Sequence, residues 1–201
     1  MEKNSEFQKL ITFFEEFPGV GARQARRFAL FLLSKNKGFI EDFTQTLIAT
    51  KQISKECPSC MRYHFGREDL CSICESAERT DSMLLVVEKE QDIESFERTH
   101  LFTGKYFVLG KLISLVSKDE LRLTRLNRLL QKIQNGGTVD EIILAFPTTP
   151  NGTFTDSYVR QEITKQFPTI AIKSLGRGFA TGSDPEYADS DTIAFALKNR
   201  S

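Results

Sequence analysis

Apolar side chains recur three and four positions apart along the first part of the chain, which is the spacing of one helix face. The recurring positions are Phe7, Leu10, Ile11 and Phe14, then Ala25, Phe28, Ala29, Leu32 and Leu33, and finally Phe39, Ile40, Phe43 and Leu47. A proline and two glycines within residues 17–21 separate the first two groups, and Lys37-Gly38 precedes the third. The pattern predicts three helices within residues 1–54.

From residue 81 onward, short apolar runs alternate with longer segments of helical spacing. The predicted strands are Met83–Val87 and residues 106–109, 141–146 and 170–173. The predicted helices are residues 92–99, a stripe formed by Leu121, Leu126, Leu129, Leu130 and Ile133 that ends at Asn135-Gly136-Gly137, and residues 154–167. Strands that alternate with helices indicate a mostly parallel sheet covered by helices.

Residues 55–80 are polar and contain all four cysteines. Cys57 and Cys60 form one C-x-x-C pair, and Cys71 and Cys74 form a second pair after ten intervening residues. This spacing suits a tetrahedral zinc site with four thiolates, each pair presented by a tight turn. Four protein ligands leave no open position for water, so we expect one structural ion that replaces a missing core and supplies about 10 kcal/mol of folding free energy.

One alternative for the cysteine segment stays open from spacing alone. The four cysteines could be free thiols or include a redox pair. His64 lies between the two pairs. Because four thiolates already complete a zinc site, we expect His64 to be a surface residue and not a ligand.

Composition and charge limit the class of protein and the cellular compartment that the sequence allows. The chain has 201 residues, of which 40% are hydrophobic and 27% charged, as in ordinary globular proteins. Its 27 basic and 27 acidic residues exclude a uniformly basic coat or a polyanionic tail, so a DNA-binding surface must be local. Apolar runs are far shorter than the roughly 20 residues that cross a bilayer, and residues 1–6 lack a secretory pattern. Together with the paired cysteines, these features predict a cytoplasmic protein.

The most one-sided charge lies between residues 17 and 40, where five cations stand without an acid. They are Arg23, Arg26, Arg27, Lys35 and Lys37. Gly19 and Gly21 let backbone amides approach an anion, and the helix N-terminus that follows favours negative charge. Arg23 and Arg27 share a helix face and could both reach phosphates without reading base sequence. The alternative is an ordinary helical hairpin with a solvated basic face.

The sequence lacks the common catalytic motifs. Residues 104–111 fail the phosphate-loop pattern, and residues 176–178 lack the third glycine of a dinucleotide-binding fingerprint. Neither His64 nor His100 lies in a nucleophile motif. The late acidic group is expected to be a solvated loop; it consists of Asp184, Glu186 and Asp189.

Glu88 is the best acidic candidate for a site. It follows the first predicted strand, and open parallel sheets place their sites at the carboxyl ends of strands. Residues 145–152, after a later strand, contain no carboxylate. Because Mg²⁺-assisted phosphoryl transfer needs acidic ligands from more than one element, Glu88 alone does not indicate an enzyme.

The order of these motifs resembles the RecR family of bacterial recombination mediators over nearly the whole chain. The shared pieces are Phe-Pro-Gly-Val-Gly at 17–21, the four cysteines, Gly-Lys-Tyr-Phe-Val-Leu-Gly at 104–110 and Glu-Tyr-Ala-Asp at 186–189. The resemblance implies a mixed α+β chain of four parts. These are a helix-hairpin-helix DNA-binding region at 1–54, a zinc finger at 55–80, an α/β Toprim domain at 81–175 and a C-terminal oligomerisation segment at 176–201.

That likeness also implies a function in recombinational repair of damaged DNA. The resemblance implies a non-catalytic clamp that binds duplex, gapped and single-stranded DNA without sequence preference. It also implies a ring-like homotetramer. Such proteins act with RecO and RecF to help load RecA. The residues expected to contact DNA would be Gly19, Gly21, Arg23, Arg26 and Arg27. Glu88 would lie on the face that binds RecO, and the phenylalanines of the first helix fit a subunit interface or an internal core.

The chain departs from Toprim enzymes in their second acidic element, a D-x-D-x-[ED]-G run. Pro147, Thr149 and Asn151 replace its acids, and only Gly152 matches. The RecR family usually keeps a glutamate at position 151, so its replacement argues against metal binding by this loop.

Two other hypotheses stay open. One is a Toprim nuclease or primase-like enzyme that uses Mg²⁺ at Glu88. The other is a zinc-stabilised adaptor with no DNA role. Ala180 and Pro185 also differ from the family's usual residues, which affects the expected C-terminal loop.

Overall fold

The computed structural model describes residues 5–113, 120–136 and 139–175, together with positions 182, 184, 186, 190, 192 and 193. Residues 1–54 and 55–201 form two compact units. Within the described ranges, no helix is both long and apolar enough to cross a membrane. The predicted C-terminal segment at 176–201 lies outside the described residues, except for the six single positions named above. Ala180, Pro185 and Asp189 are not among those six. The role of this segment and the finer division of 55–201 stay predictions.

The first unit contains three helices, as the apolar spacing predicted. They are α1 (Ser5–Glu15), α2 (Ala22–Leu33) and α3 (Lys37–Ile53). The buried core of this unit is small and consists of Ile11 from α1 with Ala25 and Ala29 from α2. Because alanine has no side chain beyond Cβ, these two positions let the helices approach closely.

Two features of the first unit differ from the predicted apolar faces. Leu33 is 65% exposed because it is the last residue of α2, which ends at the cap residue Ser34. Helix α3 has no buried residue, and Phe39, Phe43 and Leu47 are exposed. This unit therefore leaves contiguous apolar surface uncovered, which is typical of an interaction surface.

The cysteine segment begins the second unit. Strands β1 (Lys55–Glu56) and β2 (Tyr63–His64) pair antiparallel, and a short helix α4 (Ser72–Glu75) follows. Such small elements cannot bury a core of their own. They pack instead on the part of the chain that follows.

Four parallel strands form the centre of the second unit, which confirms the predicted sheet. They are β3 (Met83–Val87), β4 (Lys105–Val108), β5 (Glu141–Ala145) and β6 (Ala171–Ser174), in the order β4-β3-β5-β6. Helices α5 (Glu90–Glu97), α6 (Glu120–Gly136) and α7 (Pro150–Gln166) connect them. Val87 pairs with both Val108 and Ala145, so the carboxyl ends of these strands share one edge.

The cysteines and the sheet share one hydrophobic core, a feature that sequence spacing did not predict. All four cysteines are buried in the same cluster as Leu84–Val87 and Tyr106–Leu109. The backbone N–H of Val108 donates to the Cys60 carbonyl at 2.9 Å. The Lys105 ammonium donates to the Cys74 carbonyl at 2.7 Å. The sheet thus supplies much of the core that a metal alone was expected to replace.

Helix α7 begins earlier than the predicted residue 154. Thr149 is its N-cap, and the Thr149 hydroxyl accepts a hydrogen bond from the Gly152 N–H at 3.2 Å. Pro150 suits the first turn because a helix leaves its first N–H groups unbonded. Residues 150–152, expected to be loop, therefore form the first turn of the helix and point it from the carboxyl edge of β5.

Gly152 is required by close packing, and this gives a testable prediction. A Cβ at position 152 would overlap the carbonyl oxygen of Pro147. Because that oxygen is backbone and cannot rotate away, we expect Gly152→Ala to lower the free energy of unfolding by about 2 kcal/mol and Tm by about 4–8 °C. Circular dichroism during heating measures the change. Gly136→Ala is the matched control, since a Cβ there meets nothing within 4 Å; equal Tm values for the two variants would contradict the packing.

Candidate metal centre and nucleic-acid interface

The first cysteine pair lies in a tight turn closed by backbone hydrogen bonds. The Met61 N–H donates to the Cys57 carbonyl at 2.9 Å, and the Cys57 N–H donates to the Arg62 carbonyl at 2.8 Å. Met61 has a φ of 62°, a left-handed conformation that non-glycine residues seldom adopt. The turn aims the side chains of Cys57 and Cys60 to the same point.

The second pair is presented by the start of helix α4. Cys71 is the N-cap residue, and its carbonyl accepts from the Glu75 N–H at 3.0 Å. The Cys71 N–H donates to the Cys57 sulfur at 3.5 Å. Hydrogen bonds of this kind orient a thiolate and stabilise its charge.

The four predicted ligands come together. Their sulfur atoms all lie within 4.8 Å of one another, every one is buried, and those of Cys60 and Cys71 are 3.6 Å apart. A tetrahedral ion bonded to each sulfur at about 2.3 Å would set the sulfurs about 3.8 Å apart. The arrangement therefore fits one metal ion with four sulfur ligands.

The pKa values of Cys60 and Cys71 are shifted in opposite directions. Hydrogen bonds from the Cys60 and Cys74 thiols hold the pKa of Cys71 well below its ordinary value. Hydrogen bonds with Cys71 and Cys74, followed by burial, raise the pKa of Cys60. A metal ion must displace the protons that remain, so its affinity falls as the pH falls.

Contacts from distant parts of the chain hold the cysteine turns in place. The Arg62 Nε lies 3.1 Å from a carboxylate oxygen of Glu90, and the other oxygen of Glu90 accepts from the Tyr63 N–H at 3.1 Å. The Lys132 ammonium donates to the Ser59 hydroxyl at 2.5 Å. Sequence reasoning missed these residues because nothing in the local pattern links positions so far apart.

His64 lies outside the metal cluster. Its Nε2 is 3.1 Å from the Asp69 carbonyl oxygen. The side chain is half-buried and not fully at the surface as expected. The site is complete without it.

The glycine turn of the first unit presents the start of α2. Gly19 has a φ of 76°, which glycine adopts without steric cost, and the Val20 N–H donates to the Phe17 carbonyl at 3.0 Å. Gly21 is the N-cap of α2 and provides no side-chain cap. The first N–H groups of α2 therefore have no capping side chain, and the first turn contains no acid. This arrangement suits an anion.

The three arginines of α2 do not have the same surroundings. Arg23 and Arg27 are exposed, and the Arg27 guanidinium donates to the Gln24 side-chain oxygen at 3.2 Å. Arg26 lies over the ring of Phe7 in α1, with its guanidinium carbon 5.5 Å from the ring centre. Arg26 is exposed like the other two, but this contact also lets it help to pack α1 against α2.

Glu88 lies at the carboxyl edge of the sheet, directly after β3. Its side chain is only 14% exposed, and one oxygen is 3.4 Å from the Lys89 ammonium. Asp156 on α7 is committed elsewhere, to Arg160 at 3.2 Å and to the Ser174 hydroxyl at 2.7 Å. Within the described residues, the cysteines are the one cluster of three or more potential metal ligands. Among the described residues, Glu88 therefore belongs to no group of three or more potential metal ligands.

Comparisons with known proteins match both units. Residues 7–51 match a family model described as RecR, helix-hairpin-helix, and residues 82–172 match the Toprim domain model. The chain is 34% identical over 192 residues to the Recombination protein RecR of Prochlorococcus marinus (strain MIT 9515), covering 96% of this chain and 94% of that protein. It is also 34% identical to the Recombination protein RecR of Synechococcus sp. (strain CC9605), covering 96% and 97%.

The four-sulfur site predicts that replacing one cysteine releases the metal ion. Cys71→Ser removes one sulfur ligand, so we expect the purified variant to lose most of the bound metal, about one ion per chain in the unchanged protein. Elemental analysis by mass spectrometry measures the content. Acidification from about pH 7 to about pH 5 should also release the ion, since protons compete for the thiolates.

His64→Ala is the control for this measurement, because the ring lies between the pairs but outside the cluster. It should keep the full metal content. Equal loss in both variants, or full retention in Cys71→Ser, would contradict the four-sulfur site.

Proposed function

Because this chain belongs to the RecR family of recombination proteins, we propose that it binds DNA as a non-catalytic mediator of recombinational repair. One observation carries the proposal: α2 follows the N-cap residue Gly21 without a capping side chain, contains no acid in its first turn and exposes Arg23 and Arg27.

The proposed interface contacts the DNA backbone. Uncapped N–H groups at the start of α2 would donate to one phosphate, and the helix dipole would add to the attraction. Arg23 and Arg27, four positions apart, would reach neighbouring phosphates. Such contacts carry no base information, so the protein would bind duplex, gapped and single-stranded DNA without sequence preference. Gly19 would act by shaping the turn and Arg26 by fixing α2 against α1.

We further propose that the metal is zinc. Four thiolates favour a soft ion that accepts tetrahedral geometry. With four protein ligands, the ion has no open position for water, so it would be structural.

The proposed partners follow the family resemblance. The protein would act in the cytoplasm with RecO and RecF to help load RecA, and Glu88 would contribute to the face that binds RecO. The exposed apolar residues of the first unit support assembly into a ring-like homotetramer; these are Phe31, Leu33, Phe39, Phe43, Leu47 and Ile48. Single exposed apolar residues are ordinary, but a group of this size favours a protein interface.

Fluorescence anisotropy on gapped DNA across a salt series tests the interface. In Arg23→Ala/Arg27→Ala, binding should be weaker and the log–log salt slope shallower by about 0.9 for each phosphate that a subunit no longer binds. Lys9→Ala/Lys51→Ala is the matched control, because it also removes two positive charges from helices of the first unit. Unchanged binding by the arginine variant would place DNA elsewhere, and no binding by the unchanged protein at any salt, even with RecO, would favour the adaptor.

One observation favours a second candidate, a Mg²⁺-dependent nuclease. Glu88 occupies the position at which Toprim enzymes hold a glutamate, and its side chain is largely buried. Against this stand the missing acids at Pro147, Thr149 and Asn151. We expect supercoiled plasmid to stay intact during incubation with the protein and Mg²⁺, as gel electrophoresis would show. Cleavage that is abolished in Glu88→Ala and kept in Glu94→Ala would establish the enzyme instead.

A further inference from the structure

A polar cavity lies within residues 55–201, away from the edge of the sheet that carries Glu88. Its volume is about 560 Å³. Leu84, near the amino end of β3, and Lys105, the first residue of β4, contribute to its wall. Because Leu84 precedes Glu88 by four positions along an extended strand, about 13 Å separate the two along the sheet. The cavity therefore belongs to the opposite edge.

Three separate elements supply positive charge and donors to this cavity. Arg128 and Lys132 come from successive turns of α6, Lys105 comes from β4, and Ser59 comes from the first cysteine turn. Asp81 is the one acid among the lining residues that the structure describes. The lining thus has a net charge of plus two, from three cations and one carboxylate.

The acid is already paired with one of the cations. The Lys105 ammonium lies 3.4 Å from the Asp81 carboxylate and donates to the Cys74 carbonyl. Lys105 is therefore engaged in contacts within the fold. The positive charge that Asp81 does not balance lies on α6. In the described parts of the chain, neither Arg128 nor Lys132 has a carboxylate within ion-pair distance.

The two cations of α6 have neutral partners. The Arg128 guanidinium contacts the Met61 sulfur at 3.6 Å, and a thioether is a weak acceptor. The Lys132 ammonium donates to the Ser59 hydroxyl and is half-buried. A guanidinium has five donors and an ammonium three, so both retain donors for an anion. Together they provide the charge-assisted hydrogen bonds that recognise phosphate oxygens.

The remaining lining suits the organic part of such a ligand. Pro58 and Val139 supply apolar surface, while Gln131 and Asn135 supply side-chain amides. A volume of several hundred Å³ is typical of small-molecule sites, which combine apolar walls with a few placed polar groups. A sugar and base can rest on this wall while the phosphate is held at Arg128 and Lys132.

We propose that this cavity binds the phosphate of a nucleotide unit through Arg128 and Lys132. The unit is either a free nucleotide or one nucleotide of a DNA strand. This site is separate from the start of α2 and does not depend on the hairpin interface.

Isothermal titration calorimetry on the full-length, metal-loaded protein tests the proposal. The probes are inorganic phosphate, AMP, ATP and a short oligothymidylate, the last also titrated into the Arg23→Ala/Arg27→Ala background to remove the hairpin contribution. We expect saturable binding of a nucleotide or the oligonucleotide that weakens about tenfold or more in Arg128→Gln/Lys132→Gln. Arg128→Lys/Lys132→Arg should restore it in part.

Lys165→Gln/Lys173→Gln is the control, since it removes two cations with surface ion pairs from other elements of residues 55–201. Binding of free nucleotides identifies a small-molecule site, and binding of the oligonucleotide alone identifies a strand site. If no probe binds, or if Arg128→Gln/Lys132→Gln binds as well as the unchanged protein, the proposal is wrong. Binding of an oligoglutamate peptide without any phosphate probe would overturn it in favour of a protein partner's carboxylates.

A competing role for these cations is to balance the charge of the cysteine thiolates. If Arg128→Gln/Lys132→Gln loses metal or fails to fold, chemical labelling of the unchanged protein distinguishes phosphate binding from charge balancing. Acetic anhydride labelling, read by mass spectrometry, should show Lys132 protected by AMP or the oligonucleotide at least about fivefold more than Lys165, because a bound phosphate occupies the amine. Equal labelling of Lys132 with and without ligand would overturn the proposal and leave the charge-balancing role.

Discussion

Four cysteine sulfurs inside the hydrophobic core lie at the start of a continuous hydrogen-bonded path through the second unit. The Cys60 carbonyl accepts from the Val108 N–H at the end of β4. The next amides along the chain, those of Leu109 and Gly110, donate to the carbonyls of Val87 and Glu88 at 2.9 and 2.8 Å. These bonds link the cysteine turn to the Glu88 backbone, while β3, which leads into Glu88, is also held by its pairing with β5. A metal ion that holds this turn therefore stabilises the sheet edge as well as its own ligands.

The first unit, in contrast, has only a small buried core. Its core consists of Ile11, Ala25 and Ala29, and many larger apolar residues stay exposed. So small a core cannot contribute much stability by burial. The unit instead presents two surfaces: the uncapped, basic start of α2, which suits phosphate, and the exposed apolar side of α3, which suits another protein surface. These two surfaces are the ones that the proposed mediator role requires.

Sequence alone predicted the elements whose signals are local. The run Met83–Val87 is entirely apolar, and it is a strand with those bounds because a central parallel strand is buried on both faces. The cysteine spacing likewise predicted the sulfur cluster. The predicted helix began only at residue 154, so the start of α7 was missed, although Thr149 followed by Pro150 is a helix-start signal. The cavity at Lys132 could not be predicted, since its residues meet only when the cysteine turn packs on α6.

Hydrogen–deuterium exchange of the metal-loaded and chelator-treated protein shows whether the metal centre supports the sheet. We expect metal removal to lower the protection of the Val108, Leu109 and Gly110 amides together with the cysteine turns, while α1 and α2 keep theirs. Loss of protection confined to residues 55–80, with β4 unchanged, would contradict this dependence. In that case the cysteine segment would be an appendage, and the position of Glu88 would not depend on the metal.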